Sequence, residues 1–384
     1  EQGRPVAVAA RTDVASCVDR LGAERAARVA GGNDQARPGR ELPGHGWIEP
    51  DLDESIGSRG PRLLIPWVKL QRHGPPAGIQ GPADGTDGEQ HIDEILASLT
   101  TQRFDGTYEI LVIDSGSTDS TLDLIAKYPS VRLVQIPNSE FGHGKTRNLG
   151  AHLAKGRIVA YLTHDATPAS DRWLHEITAP FAISDRIVAV MGAQIPRPDA
   201  FPLLRYEIKG VFNGFGPGFG TTLFYEDDFI QDEGVRNAVT FYSDVNSAAR
   251  KDILTGEVPY RDVSYAEDQL LGRDVIAAGY IKAYAPRAAV LHSNEMTVSE
   301  YDDRMFEETQ GLREVGIDVA MPSIPTVVRM VTTGILKDAL RLARDREVGK
   351  RRKISGFFLN PAYHVQKWRG VRRGVRSPLK RYGQ

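Results

Sequence analysis

The sequence contains only one cysteine, Cys17, and no long run of hydrophobic residues. A single cysteine forms no disulfide within the chain, which favours a reducing compartment. No stretch approaches the roughly 20 consecutive apolar residues that cross a bilayer, and residues 1–4 lead into no apolar core of the signal-peptide kind. These shortages predict a cytoplasmic protein that has no membrane-spanning segment.

Charge is distributed unevenly, although the net charge of the 384 residues is only −2. Residues 331–384 contain 15 Lys and Arg residues but three acids, so this segment carries +12 and the remainder −14. A basic tail on an acidic body suggests an anionic partner for the tail, either a membrane surface or a nucleic acid.

Residues 1–90 predict an irregular N-terminal region, because they are rich in Gly, Pro, Arg and Asp and lack a sustained apolar period. Residues 63–68 form a short apolar run and are a candidate strand. Pro66 favours an edge position for that strand, because proline has no N–H to donate to a central ladder. We expect residues 1–60 to pack little against the rest of the chain.

The pattern changes at His91, where strand and helix signals begin to alternate. Short apolar runs predict four strands, at residues 108–113, 131–136, 157–162 and 187–191. The alternation predicts an α/β domain over residues 91–300, with a mostly parallel sheet and helices on both faces. Residues 200–262 are rich in aromatic residues and glycine, and they predict a long insertion with little regular structure.

Residues 301–384 predict a helical, basic C-terminal extension. Its clearest helix carries an apolar stripe at helical spacing, formed by Val328, Val331, Ile335, Ala339 and Leu342. Such a stripe fits two arrangements: the helix lies on an anionic membrane surface, or it packs on the α/β domain while its charges are solvated. Basic residues near an anionic surface, together with inserted aromatic residues, favour the membrane.

Polar residues follow three of the predicted strands, at the ends where open α/β sheets bind ligands. They are Asp114 to Asp119, then Thr163, His164 and Asp165, and finally His292. Because these clusters are scattered through the chain but converge on one edge of the sheet, they predict one site.

Each of these side chains has both a structural and a functional interpretation. Asp114 could accept the imide N–H of a uracil or thymine base, or it could turn the chain while Asp119 caps the next helix. Asp165 could hold Mg²⁺ or Mn²⁺ through a carboxylate oxygen, or it could be a turn residue. His292 could be a ligand of the same metal, although a single histidine at a strand end is more often structural.

Two further pairs of residues also have both a structural and a functional interpretation. Glu267 and Asp268 open a predicted helix, where the helix dipole favours acids, but a carboxylate there could also accept the proton of a sugar hydroxyl. Arg147 and Asn148 lie near a helix N-terminus, where they could contact a phosphate or lie on the surface.

Six segments, taken in order, resemble the inverting family 2 glycosyltransferases of GT-A fold. They are Asp114-Ser-Gly-Ser-Thr-Asp119, Phe141-Gly-His-Gly-Lys-Thr-Arg-Asn148, Leu162-Thr-His-Asp-Ala-Thr-Pro168, Ser243-Asp-Val-Asn-Ser-Ala248, Glu267-Asp268 and Val290-Leu-His-Ser293. The resemblance covers residues 91–295 and is strongest to bacterial rhamnosyltransferases. The sequence departs from that subgroup in two ways. His164 stands where the subgroup has Gln. The first strand of the family would be the run at residues 63–68, which lies too far upstream of the helix at Ile92.

The resemblance implies a set of donor-binding residues, namely Asp114, Ser115, Asp119, Arg147, Asn148, Thr163 and His164. It also implies that Asp165 and His292 hold Mg²⁺ or Mn²⁺. Asp268 would be the catalytic base, with Glu267 beside it at the acceptor and Asn246 also on the acceptor side.

The activity that the resemblance implies is inverting transfer of a sugar, rhamnose being the first choice, from a nucleotide-diphosphate donor. The donor would be dTDP-rhamnose, with a UDP-sugar as second choice, and the acceptor a cell-wall or lipid-linked glycan. The enzyme would lie on the inner face of the cytoplasmic membrane through its basic tail, and it would not bind nucleic acid. The alternatives are a catalytically inactive, membrane-associated protein that binds sugar nucleotides, and a nucleotidyltransferase.

Overall fold

The computed structural model describes residues 63–68 and 89–379, apart from residues 227–232, 264, 293–296, 318 and 320. The expectation that residues 1–60 pack little against the domain lies outside the described residues. Within the described part of the chain, no helix is both long enough and apolar enough to span a membrane.

Nine strands of the described chain form one sheet. They are β1 (Leu63–Val68), β2 (Tyr108–Asp114), β3 (Val131–Gln135), β4 (Ile158–Thr163), β5 (Thr167–Pro168), β6 (Ile187–Ile195), β7 (Thr222–Phe224), β8 (Asn246–Arg250) and β9 (Ile281–Leu291). Their order is β3-β2-β1-β4-β8-β6-β9-β5, and β7 also pairs with β9. The four neighbouring strands β3, β2, β1 and β4 are parallel to one another, and β6 is parallel to β9. Strand β8 is antiparallel to both of its neighbours, β4 and β6. The predicted α/β fold is confirmed, and β8 makes its sheet mixed.

Helices cover both faces of the sheet. They are α1 (Glu89–Thr100), α2 (Thr121–Ala126), α3 (His143–Leu153), α4 (Trp173–Thr178), α5 (Pro202–Asn213), α6 (Glu233–Thr240), α7 (Lys251–Leu254), α8 (Glu267–Ala277), α9 (Val298–Glu314), α10 (Ile324–Arg344) and α11 (Lys350–Arg376). Alternate residues of β2 serve the two layers, since Val112 lies in the same core as Ile92 of α1, and Leu111 in the same core as Ala151 of α3. Each buried aliphatic side chain stabilises the fold by roughly 1.5–3 kcal/mol, so both layers hold the strand ends in place.

Strand β1 lies in the middle of the sheet, so the edge position predicted from Pro66 is wrong. It pairs in parallel with β2 on one side and with β4 on the other. The pairing with β4 includes Leu63, Leu64, Trp67 and Val68 but skips Ile65 and Pro66. The chain thus tolerates proline in a central strand because the ladder is interrupted there. The sequence suggested that residues 63–68 were a displaced first strand. In the structure they form β1, which lies in the sheet between β2 and β4.

Residues 200–262 contain regular structure, which contradicts the prediction of an irregular insertion. They include α5, β7, α6, β8 and α7. Strand β8 even lies between β4 and β6, and Ala248 and Ala249 are buried in opposite layers. A strand with such small side chains can lie between two buried strands, but it has no apolar period from which it could be predicted.

The C-terminal extension is helical, as predicted, and it is attached to the domain through α5. Helix α11 packs against α9, α10 and α5. The Glu207 Oε2 atom of α5 accepts hydrogen bonds of 2.5 Å from the hydroxyls of Tyr301 and Tyr363, and Lys367 forms an ion pair with the same carboxylate. The rings of Tyr301 and Tyr363 stack at 4.4 Å.

At its C-terminal end the predicted apolar stripe of α10 packs against α11 and also against α5 of the α/β domain, because Leu342 shares one core cluster with Leu203. Leu342 is fully buried, and Gly356 of α11 leaves room for it, because a Cβ atom at that glycine would lie 3.2 Å from the Leu342 methyl groups. Asn360 of α11 also donates to the Ile335 carbonyl at 2.8 Å. Val328, at the other end of the stripe, is exposed.

Candidate active site

The turn after β2 is organised by its own carboxylates. Asp114 is fully buried, and it accepts hydrogen bonds from the N–H groups of Gly116 at 3.1 Å and Ser117 at 3.2 Å. Gly116 has φ +96°, a left-handed conformation that favours glycine. Asp119 accepts from the Thr121 N–H at 3.1 Å, at the start of α2. The structural interpretation of Asp114 and Asp119 is therefore realised, and Ser115 is buried beside them. Contact of these residues with a nucleotide stays a prediction.

Asp165 and His292 lie together where β4 and β9 end. The His292 Nε2 atom is 3.2 Å from Asp165 Oδ2, and the Thr163 hydroxyl donates to Asp165 Oδ1 at 2.5 Å. Burial acts to raise the pKa of Asp165, but the His292 imidazole outweighs it, with help from His164 and Thr163, and holds that pKa well below its usual value. Asp165 is consequently an ionised carboxylate at neutral pH.

The hydrogen bond on the other side of His292 bears on whether this pair suits a metal. Its Nδ1 atom is 3.0 Å from Gln194 Oε1, and Gln194 Nε2 donates to the Ser243 hydroxyl at 3.1 Å. An amide oxygen only accepts, so Nδ1 carries a proton and Nε2 is the nitrogen that faces the Asp165 carboxylate. A cation bound between Nε2 and that carboxylate would be coordinated by both.

This donor set fits a divalent cation that has further ligands from elsewhere. One carboxylate and one imidazole, whose second nitrogen is held by an acceptor, match common protein ligation. No group of three or more His, Cys, Asp or Glu side chains with metal-binding geometry occurs among the described residues. Oxygens from outside these side chains, such as those of a diphosphate, would therefore have to complete the coordination.

A second cluster places three carboxylates around one guanidinium. The Arg147 Nε atom is 3.1 Å from Asp244 Oδ2, and the same guanidinium is paired with Glu267. The Asp244 N–H donates to Asp268 Oδ2 at 3.3 Å, and Tyr260 donates its hydroxyl proton to Asp244 Oδ1 at 2.9 Å. Three negative groups thus share one fixed positive charge.

The crowding of these carboxyl groups affects the pKa of Asp268. Burial, followed by the neighbouring carboxylates of Glu267 and Asp244, raises the pKa of Asp268 to about 8. Burial also acts to raise the pKa of Glu267, but Arg147 and His143 lower it below the usual value. The residue as a whole keeps some accessible surface, whereas its carboxyl group is deeply buried, and this burial is the main cause of the raised pKa. A carboxylate with a pKa near working pH is suited to general base catalysis.

The backbone before Asp268 is strained. Ala266 precedes α8 with φ +59°, in the left-handed region that costs a residue with a Cβ atom of order 1 kcal/mol or more. This conformation turns the chain so that Glu267 and Asp268 both begin the helix beside Arg147. Such strain is typical of sites where geometry matters more than stability.

The two clusters are joined by residues 243–244. Ser243 accepts from Gln194, which holds His292, while the next residue, Asp244, holds Asp268 through its backbone. One short segment before β8 therefore connects the candidate metal pair to the candidate base.

Part of the sequence matches a known family. Residues 87–255 match the family described as glycosyl transferase family 2. The chain contains a family 2 glycosyl transferase domain.

Relatives of this domain include rhamnosyltransferases. The O-antigen chain rhamnosyltransferase WbaN of Salmonella anatum is 32% identical over 203 residues, which cover 52% of this chain and 61% of that protein. The N-acetylglucosaminyl-diphospho-decaprenol L-rhamnosyltransferase of Mycobacterium tuberculosis is 28% identical over 233 residues, 53% of this chain and 71% of that protein. This chain thus spans less than two thirds of WbaN. Among solved structures, the mannosyltransferase PcManGT from Pyrobaculum calidifontis, in complex with GDP-Man and Mn²⁺, has a TM-score of 0.49 at 15% identity, with coverage of 95% of this chain and 96% of that one.

Arg147 and Asn148 of the family 2 domain do not lie on the surface or at an open phosphate site. Arg147 is 4% exposed and occupied by two carboxylates. The Asn148 side chain binds the backbone of Tyr260 twice, donating to its carbonyl at 2.8 Å and accepting from its N–H at 3.0 Å. In this structure both residues fix the loop that precedes Asp268, and neither presents a free donor to a phosphate.

Asn246 is fully buried in β8, and its place on the acceptor side stays a prediction. Its Oδ1 accepts from Trp173 Nε1 at 2.9 Å, and its Nδ2 donates to the carbonyls of Ala193 at 2.9 Å and Ala288 at 2.7 Å. Each polar atom of the amide has a protein partner, so Asn246 stabilises the centre of the sheet of the family 2 domain.

Sequence reasoning missed Asp244, Gln194 and Arg197. Arg197 follows β6, donates to the Thr167 hydroxyl at 2.9 Å, and pairs with Glu94 at 3.1 Å, beside the backbone of Asp165. Polar residues at the end of β6 were a usable signal for Gln194 and Arg197, because that strand ends at the same edge of the sheet. Asp244 lay in the segment that gave no periodic pattern.

Proposed function

We propose that this protein is an inverting glycosyltransferase in which Asp268 is the general base. The observation that carries the proposal is the Asp268 carboxylate, whose pKa is raised to about 8 by burial and by the neighbouring carboxylates of Glu267 and Asp244. It is linked through residues 243–244 to the Asp165–His292 pair, so a base and a candidate site for a cation lie on one connected framework.

The proposed reaction is a single displacement. Asp268 accepts the proton of an acceptor hydroxyl, the hydroxyl oxygen forms a bond to the anomeric carbon, and the bond from that carbon to the diphosphate oxygen breaks with inversion. A Mg²⁺ or Mn²⁺ ion at Asp165 and His292 would supply positive charge to the leaving diphosphate. Asp114, Ser115, Asp119, Thr163 and His164 would line the donor.

The proposed donor is dTDP-rhamnose, with a UDP-sugar as second choice. The likeness to rhamnosyltransferases of Salmonella and Mycobacterium supports rhamnose. The proposed acceptor is a cell-wall or lipid-linked glycan, since the names of those relatives refer to an O-antigen chain and to a decaprenol diphosphate. Residues 91–300 would be the catalytic domain and residues 301–384 the extension.

We also propose that the enzyme lies on the inner face of the cytoplasmic membrane. The support is the net charge of +12 in residues 331–384 and the exposed Phe358 of α11, which is 81% accessible. Electrostatic attachment of this kind weakens with salt, so release from vesicles at 0.5 M NaCl is the expected result.

The catalytic proposal is tested by following release of dTDP from dTDP-rhamnose in the presence of Mn²⁺. Wild-type protein is expected to hydrolyse the donor slowly, and Asp268→Asn to do so about 10²–10⁴-fold more slowly, while the donor still raises the Tm of both proteins. Asp262→Asn, an exposed carboxylate near the same loop, is the matched control and should be as active as wild type. Near wild-type turnover in Asp268→Asn would remove the role of this residue.

The same assay separates the alternatives. A Tm increase without dTDP release identifies a protein that only binds sugar nucleotides. Release of pyrophosphate from a nucleoside triphosphate and a sugar phosphate identifies a nucleotidyltransferase.

A further inference from the structure

The outer face of α10 carries apolar residues that are not covered by the rest of the described chain. Leu336 is 66% exposed and Leu340 54% exposed, and they are one helical turn apart. They point away from α11, which covers the opposite face at Leu342 and Asp338. Because the predicted stripe is used against α11, these two leucines form a second apolar surface on the same helix.

A groove of about 610 Å³ runs between α5 and α10 beside Leu340. Its basic lining residues are Lys209 from α5 and Lys337, Arg341 and Arg344 from α10. The acid that lines it, Asp345, already accepts hydrogen bonds from the Tyr206 hydroxyl at 2.8 Å and from the Glu347 N–H at 2.7 Å. The groove therefore has a marked excess of positive charge.

Two of these cations have no partner in the described part of the chain. Among those residues, neither Lys337 nor Arg344 forms a hydrogen bond or an ion pair through its side chain. Arg341 lies 3.3 Å from Asp338, which is shared with His364, and Lys209 shares Glu347 with Arg205. An anion placed in the groove would meet several donors that the fold leaves unsatisfied.

The neighbouring leucines decide which anion fits. A free phosphate or a nucleic acid gains nothing from apolar side chains beside its charge, and a second copy of this chain would bring the same positive charge. A lipid supplies both an anionic phosphate and acyl chains. We propose that the groove between α5 and α10 binds the phosphate headgroup of an anionic lipid while Leu336 and Leu340 enter the acyl-chain region. The inference rests on the proposed membrane location and assigns a specific surface to it.

The assignment predicts how the protein is held on the membrane. Helix α5 follows β6, and β6 carries Gln194, which holds His292. A headgroup between α5 and α10 would therefore touch the catalytic domain itself as well as the extension, so attachment would fix the orientation of the catalytic domain.

The test is co-sedimentation of the full chain with vesicles of phosphatidylcholine alone or with 30% phosphatidylglycerol. Each basic residue at an anionic surface contributes about 1 kcal/mol, so Lys337→Gln/Arg344→Gln is expected to bind the anionic vesicles about 30-fold more weakly than wild type. Leu336→Ser/Leu340→Ser should also bind more weakly. Lys127→Gln/Lys155→Gln, which removes the same charge from exposed positions of the α/β domain, and Leu133→Ser should bind as wild type does.

Several outcomes would overturn the assignment. Unchanged binding of both groove variants would move attachment elsewhere, for example to the basic N-terminal turn of α11. Equal loss in the Lys127→Gln/Lys155→Gln control would reduce the effect to net charge, and displacement of the protein by millimolar glycerol phosphate at constant ionic strength would identify a site for free phosphate. Release of dTDP without vesicles is measured in parallel. It should be unchanged in the groove variants, so that failure of this inference and failure of the catalytic proposal are separate results.

Discussion

Asp268 illustrates how one residue acquires reactivity from its neighbours. Its carboxyl group binds a proton in the folded protein up to a pH of about 8, whereas its ordinary pKa is 3.8. Between these values the folded state holds a proton that the unfolded state has lost, so this group makes the fold less stable as pH rises from about 4 to about 8. The raised pKa that suits a base therefore lowers stability.

The first prediction concerns pH. Transfer or donor hydrolysis should increase as pH rises through about 8, because only the ionised Asp268 accepts a proton. Asp268→Asn removes one of the crowded charges, so its Tm should exceed that of wild type by more at pH 8.5 than at pH 6. Scanning calorimetry of both proteins and a pH profile of dTDP release test this. A profile that is flat from pH 6.5 to 9, or a Tm difference that shrinks with pH, would contradict it.

Gln194 should act as a positioning residue for His292. Its amide oxygen holds the Nδ1 proton, which leaves Nε2 free for a metal. Partners of this kind typically contribute 10–100-fold to metal affinity. Gln194→Met should therefore weaken Mn²⁺ binding by about that factor, whereas Gln194→Glu, which still accepts the proton, should retain it.

Electron paramagnetic resonance of free Mn²⁺, measured with dTDP present, gives the affinity without any turnover. Asp165→Asn is the reference, because it removes the proposed ligand itself. If Asp165→Asn abolishes Mn²⁺ binding and Gln194→Met leaves it unchanged, the result would support the metal site. It would contradict the positioning role of Gln194. The ¹⁵N shifts of His292 would report the tautomer directly.

The pairs Asp165 with His292 and Glu267 with Asp268 were accessible to sequence reasoning because each follows or opens a recognisable element. Their partners were not accessible. Arg147 and Glu267 are 120 positions apart, and no local pattern predicts an ion pair across that separation. Arg147 and Asn148 were therefore assigned to a phosphate, while in the folded chain they contact Glu267 and the backbone of Tyr260.

Helices and strands also divide into those that the sequence could predict and those that it could not. Helix α1 and strands β2 and β4 were predictable because apolar spacing and burial coincide there. The central position of β1 and the existence of β8 were not, because β1 contains a proline and β8 consists of small and polar residues. Their positions depend on neighbouring strands that offer free ladder hydrogen bonds, which is tertiary information that overrides local propensity.

Helix α6 depends on a buried lysine. Lys282 of β9 is fully buried, pairs with the carbonyl oxygen of Phe241 just after α6, and lies 4.5 Å over the Phe224 ring. Burial lowers the pKa of Lys282 to about 7 from 10.5. The unfolded state therefore binds more protons than the folded state between about pH 7 and 10.5, and stability due to this residue rises with pH across that window.

The prediction for this element is that Lys282→Met loses that dependence. The Tm of wild type relative to Lys282→Met should increase from pH 7 to pH 9.5. Lys251→Met, which removes a lysine that also reaches a carbonyl but is only partly buried, should show a smaller change. A constant Tm difference between wild type and Lys282→Met would mean that Lys282 keeps its ordinary pKa.

At the scale of the whole molecule, Glu207 is a partly buried connection between the C-terminal helices and the α/β domain. Burial acts to raise the pKa of Glu207, but Lys367 and the hydroxyls of Tyr301 and Tyr363 lower it below 4.5. A depressed pKa contributes stability above the unfolded value, and that contribution is lost as pH falls through the folded value. The attachment of α9 and α11 to α5 should therefore weaken in acid before the core of the sheet unfolds.

The last prediction concerns the hydrogen bonds and the ion pair that the Glu207 carboxylate forms with Tyr301, Tyr363 and Lys367. Hydrogen bonds to a charged group contribute about 1.5–3 kcal/mol, and the carboxylate is partly exposed, so Glu207→Ala should destabilise the docked helices by about 2 kcal/mol. Hydrogen exchange should accelerate in α9, α10 and α11 while the amides of β4 and β6 stay protected. Glu307→Gln, on the exposed side of α9, should exchange as wild type does. Equal acceleration in the sheet and in the helices would show that the chain unfolds as a single unit, and that the extension is part of the catalytic core and not an attachment to it.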